Sequence, residues 1–84
     1  MGELIHFVAT WAEPVCGPHR AEVAAAAQRL GLSVHESDVD AEPDLCRQYR
    51  VLNVPAVALQ GQPGSRIVGA VGADEIVTRL SEGS

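Results

Sequence analysis

Short apolar runs alternate with polar breaks along this chain, and the spacing within each run predicts an element. Leu4 to Ala9 is nearly continuous in apolar residues, interrupted only by His6. Its length and its Ile and Val content predict a strand buried on both faces, as in a parallel sheet. Pro14, Gly17 and Pro18 then break the pattern. From His19 to Leu30 the residues are good helix formers, and Val23, Ala26, Ala27 and Leu30 recur on one helical face. That face is made mostly of small residues, so the helix can lie close to a sheet. Gly31 is a natural left-handed stop.

Leu32, Val34 and Val39 mark a second strand that runs into the acidic turn Asp38-Val39-Asp40. Pro43 suits the first position of a short helix whose inner face carries Leu45, Cys46 and Tyr49. Val54 to Leu59 predicts a third strand with a proline near its start. Gly61 to Ser65 reads as a turn rich in Gly and Pro. Ile67, Val68 and Val71 predict a fourth strand, and Asp74 to Leu80 a closing helix with Ile76, Val77 and Leu80 turned inward. Glu82-Gly83-Ser84 reads as a frayed tail. The order β-α-β-α-β-β-α predicts an α/β fold, with a right-handed crossover first and a hairpin plus helix second. No repeat, linker or second domain interrupts residues 1–84.

Length narrows this to one small domain: 84 residues bury a real but thin core. Phe7, Trp11 and Tyr49 are the only aromatics, so that core must be built from Val, Leu, Ile and Ala. The net charge is −5 and all six basic residues are Arg. No basic patch points to nucleic acid, and the acidic balance argues against anionic membranes. No apolar stretch approaches the ~20 residues of a membrane helix, and no cationic region precedes an apolar run and cleavage site. The expectation is a cytoplasmic monomer. Cys16 and Cys46 are too few for a secreted disulfide scaffold.

The candidate chemistry lies in Trp11-Ala12-Glu13-Pro14-Val15-Cys16-Gly17-Pro18-His19. Three further segments follow in order: Asp38-Val39-Asp40, then Leu45 to Val51 leading to Val54-Pro55, then Val68-Gly69-Ala70-Val71-Gly72. Together they resemble the thioredoxin family over nearly the whole chain. The resemblance implies a thioredoxin-like fold, with a mixed four-stranded sheet flanked by helices and the chain starting at the Cys-bearing strand. It also implies a cis Val54–Pro55 peptide beside the nucleophile, where the backbone pairs with an extended substrate that Val54 touches. Trp11, Gly17 and Pro18 complete the implied substrate side. Several departures stand out. His19 replaces the second cysteine of Cys-Gly-Pro-Cys, and Ala9 replaces a buried acid. One extra residue separates Trp11 from Cys16. No Thr neighbours Pro55, which is flanked by Val54 and Ala56.

With Cys16 at the turn from loop to helix, unpaired backbone N–H groups and the helix dipole would favour its thiolate, giving an accessible nucleophile. The alternative is an inert loop cysteine. His19 shares a helical face with Cys16 and would either stabilise the thiolate or accept its proton; the alternative is a half-exposed residue with no catalytic task. Without a second loop thiol, a mixed disulfide on Cys16 must be cleared by glutathione, a small thiol or a second protein. Cys46 reads as a small buried hydrophobe rather than a remote resolving thiol. Trp11 is expected to pack beside the loop and shield Cys16.

Neither metal nor cofactor is expected. Cys16 and His19 supply two ligands where structural zinc takes about four, and His6 and His35 are placed too far away to help. The predicted function is monothiol thiol–disulfide exchange with protein or low-molecular-weight partners. The alternative is a redox-inactive module that holds an extended peptide beside the proline.

Overall fold

The computed structural model describes residues 2–82. Its strands are β1 (Glu3–Val8), β2 (Ser33–Asp38), β3 (Ala56–Leu59) and β4 (Gln62–Val68), and its helices are α1 (Glu13–Leu30), α2 (Pro43–Gln48) and α3 (Ala73–Glu82). The strands form one sheet in the order β2-β1-β3-β4. β1 pairs parallel with β2 and antiparallel with β3, and β3 pairs antiparallel with β4. This is the mixed four-stranded sheet of the thioredoxin-like fold.

β1 is central, and Leu4 to Val8 are all buried. Successive side chains of a strand point to opposite faces. Leu4 therefore joins Val23, Ala26, Ala27, Val57, Ile67, Ile76 and Leu80 on the face covered by α1 and α3. Ile5 and Phe7 join Tyr49, Val51, Ala56 and Ala58 on the face covered by α2. Tyr49 also fixes the β3–β4 turn, because its hydroxyl accepts the Gly61 N–H at 2.6 Å. Gly61 adopts a φ of 82°, which favours glycine.

Several boundaries differ from the sequence reading: β4 ends at Val68, short of Val71, α2 ends at Gln48, just before Tyr49, and four further differences have a local reason. α1 begins at Glu13, six residues before His19. Its unpaired first N–H groups are few: Ala12 N–H donates to Ala9 and Glu13 N–H to Thr10 within the preceding 3-10 turn, and Pro14 has none to satisfy. Second, β3 starts at Ala56, after the Val54–Pro55 bond, which is cis. Third, Gln62 to Ser65 belong to β4 rather than to a turn. The Gly and Pro residues there serve an irregular edge strand, in which Ser65 Oγ accepts the Leu59 N–H at 2.8 Å and donates to Gln62 at 2.7 Å. Last, Glu82 closes α3 instead of fraying; the predicted tail positions Gly83 and Ser84 lie outside the described residues.

Two polar ties join α1 to α3. The Glu22 carboxylate accepts the Ala73 N–H at 2.8 Å, so it satisfies an orphan donor at the start of α3. Arg29 pairs with Asp74 at 2.5 Å, an exposed bridge that adds little. Replacing Glu22 by Ala is expected to cost about 1 kcal/mol of stability. Urea unfolding of Glu22→Ala checks this, with the same midpoint as the parent as the contrary result.

Candidate active site

Cys16 and His19 lie on the inner face of α1, and both are buried, at 0% and 3% exposure. They extend the stripe of Val23, Ala26 and Ala27 backwards at helical spacing. The expectation of an accessible thiol at the helix entrance is therefore corrected. Cys16 sits a full turn inside α1, and of the N–H groups that open the helix, those of Ala12 and Glu13 are already paired and Pro14 has none.

His19 is not half-exposed, nor are its ring nitrogens free for Cys16. Nε2 lies 2.8 Å from the Val71 carbonyl and Nδ1 lies 3.1 Å from Nε2 of His6. A carbonyl only accepts, so His19 Nε2–H is the donor to Val71. With both rings neutral, the pattern closes one way: His6 Nε2–H donates to the bare Nδ1 of His19. The rings meet edge to face, with centroids 5.0 Å apart. His6, placed too far away by the sequence reading, is thus in direct contact with His19. It projects from β1 toward α1 as Leu4 does, on the same strand face. Continuing the α1 stripe back to position 19 signals a core histidine; no sequence pattern identifies its partner.

Burial first, and the neighbouring His19 second, lower the His6 pKa from 6.5 to about 4. Glu36, opposite His6 on β2, acts the other way, while Arg20 adds to the lowering. Arg20 itself bridges α1 and β2 on the surface. It reaches Glu36 at 2.5 Å and also Glu13, whose carboxyl it holds below the usual range. Gly17 lies beneath this bridge, and a Cβ there would stand 2.8 Å from the Glu13 carboxylate.

The substrate-side residues are distributed unevenly. Pro55 is buried, while Val54 and Gly17 are half-buried and Pro18 is exposed. Trp11 is 71% exposed, so it stands out from the surface instead of packing over the loop. Val15 and Leu52 are also exposed, Leu52 at 90%. No sequence pattern marks either exposure, because a single exposed apolar residue leaves no periodic signature. Cys46 lies in α2 with its thiol donating to the Val51 carbonyl at 3.1 Å, and both cysteines are free. Among the described residues no group of three or more His, Cys, Asp or Glu could hold a metal ion, and no helix is long and apolar enough to cross a membrane.

The His6 shift has a definite consequence for stability. The unfolded chain takes up a proton at His6 as pH falls through 6.5, whereas the folded chain does so only near 4. The stabilisation is complete above 6.5 and is lost as pH falls toward 4, by about 3 kcal/mol in all. Urea titrations across this window should show that loss in the parent and a much flatter profile in His6→Leu. An equally steep profile in the variant would contradict the assignment.

Comparisons with known proteins agree with this architecture. The Thioredoxin family model matches residues 2–82. The chain is 36% identical over 86 residues to a thioredoxin of Mycobacterium tuberculosis (strain ATCC 25618 / H37Rv), which covers 94% of this chain and 71% of that protein. It is 38% identical over 86 residues to the bifunctional thioredoxin reductase/thioredoxin of Mycobacterium leprae (strain TN); there it spans 94% of this chain but only 18% of that protein's length. Thioredoxin 1 of Thermosipho africanus TCF52B shares the fold with a TM-score of 0.75 at 17% identity, over 95% of this chain and 91% of that one. Mitochondrial thioredoxin 3 of Saccharomyces cerevisiae, in its oxidised form, superposes with a TM-score of 0.71 at 28% identity, over 98% and 74%. By the family match across all described residues and by these relatives, the chain belongs to the thioredoxin family.

Proposed function

We propose that this chain carries out thiol–disulfide exchange by a monothiol route through Cys16. The supporting observation is that the chain belongs to a redox family yet has one thiol in its loop, with a histidine tied into the core at the second thiol's place. Cys46 is on a different element and its thiol is bonded to Val51. In the proposed step, the Cys16 thiolate attacks one sulfur of a protein or small-molecule disulfide. That S–S bond breaks, a mixed disulfide forms on Cys16, and the other sulfur leaves as a thiolate that takes up a proton. A second thiol, glutathione or a protein cysteine, then attacks the Cys16 sulfur and releases it reduced. His19 takes no proton in this scheme, since both its ring nitrogens are engaged. The half-buried Val54 and the exposed Trp11 and Val15 offer apolar contacts to an extended substrate.

A second reading, a redox-silent module that holds a partner peptide, is favoured by one observation: Cys16 is wholly buried. Attack on a disulfide requires the first turns of α1 to open far enough to expose its sulfur.

Incubation with oxidised glutathione separates the two. The expected result is one glutathione adduct on Cys16, identified by mass spectrometry and removed by reduced thiol. Insulin reduction coupled to thioredoxin reductase should be slow in the parent and faster in His19→Cys. A Cys16 that gains no adduct in the folded protein would favour the binding module, and efficient reductase-coupled turnover by the parent would exclude the monothiol route.

A further inference from the structure

The first two turns of α1 lack an aliphatic anchor. Of residues 13–19, only Cys16 and His19 are buried; Val15, Pro14 and Pro18 face outward. The aliphatic stripe that binds α1 to the sheet starts at Val23. Beyond the small side chain of Cys16 itself, what holds this turn down is polar. The Arg20 bridges to Glu13 and Glu36 are on the surface, where ion pairs contribute little. The remaining ties are the two hydrogen bonds of His19, a buried one to His6 on β1 and a partly buried one to Val71 ahead of α3, where losing a partner is costly.

We infer that His6 is a positioning residue for Cys16: acting through His19, it seats the first two turns of α1 on the sheet and sets how far the Cys16 thiol is exposed. Its bearing on activity rests on the reading of Cys16 as the reacting thiol; the seating itself does not. His6 donates to His19 Nδ1 and holds that ring in the tautomer that donates to Val71. Removing the donor leaves a buried nitrogen without a partner, and the cheapest relief is for this turn to lift toward water. His19 moves with it, and Cys16, one turn away on the same face, becomes exposed. A side chain that restores an N–H near the former Nε2 position restores the seat. Gln places its amide nitrogen there; Leu fills the space without donating.

The test reads Cys16 exposure directly, in a Cys46→Ala background so that one thiol reports. Dithiodipyridine is added near neutral pH; the thiolate attacks its disulfide, a mixed disulfide forms on Cys16, and thiopyridone leaves and is measured by absorbance. His6→Leu should react about tenfold faster than the parent with an unchanged circular dichroism spectrum, as expected of a local opening. His6→Gln should stay within about threefold of the parent. A folded His6→Leu that reacts at the parent rate overturns the inference, as does a His6→Gln as fast as His6→Leu. Nitrogen NMR of the unaltered protein decides the matter should His6→Leu fail to fold. His19 must carry its proton on Nε2 with Nδ1 bare, and the opposite tautomer or a mixture overturns the inference. Failure of the monothiol reading looks different: no glutathione adduct on Cys16, with the dithiodipyridine ranking of the variants intact.

Discussion

Two imidazoles hydrogen-bonded inside an apolar core decide how the Cys16 end of this molecule is arranged. A buried ring nitrogen without a partner would cost about 1–3 kcal/mol, so the pair is sustained only because each N–H has an acceptor and the chain of donors ends on the Val71 carbonyl. This requirement locks together β1, α1 and the approach to α3. It also settles position 19, where the Cys-Gly-Pro-Cys pattern has a thiol. The histidine there serves as a cross-brace, and Cys16 is the one cysteine of the loop.

The two faces of the sheet are secured by different means. On one face α1 and α3 press small and aliphatic side chains against Leu4, Val57 and Ile67, and Glu22 links the helices. On the other, the short α2 covers Ile5 and Phe7 through Tyr49, whose ring packs near Phe7 with centroids 5.6 Å apart. Along α1 itself the means change again. Its C-terminal half is held by apolar area, which is non-directional, and its N-terminal half by hydrogen bonds, which depend on geometry. The half that carries Cys16 is thus the half whose seating can be altered by changing a single donor.

Much of this was readable in the sequence, and the failures share a cause. β1 was legible because an unbroken apolar run needs burial on both sides. The Val23, Ala26 and Ala27 stripe was legible from helical spacing, and Gly31 ends α1 in the left-handed conformation foreseen for it. Pro14, Gly17 and Pro18 read as breakers, yet Pro14 stands in the first turn of α1, where no helical partner awaits an N–H, and the helix runs on through Gly17 and through Pro18 in its interior. That error moved Cys16 out of the helix and onto the surface. The spacing that puts His19 on one helical face with Cys16 also continues the buried stripe of Val23, Ala26 and Ala27, which marks it as interior. Its contact with His6 rests on how α1 crosses β1, a tertiary relation that no local pattern encodes. The Gly and Pro residues of β4 misled similarly, because an edge strand tolerates what a central strand does not.

The hydrogen bond from His19 to Val71 spans 52 positions, most of the chain. During synthesis the Cys16 segment emerges ahead of the rest of α1 and of β2, and none of these can complete the brace. Until residue 71 has been made, the His19 Nε2–H has no carbonyl to meet, and the first turns of α1 lack one of their two buried anchors. The Cys16 segment is therefore translated well before the carbonyl that completes its brace, and until that carbonyl arrives the thiol lacks part of what shelters it.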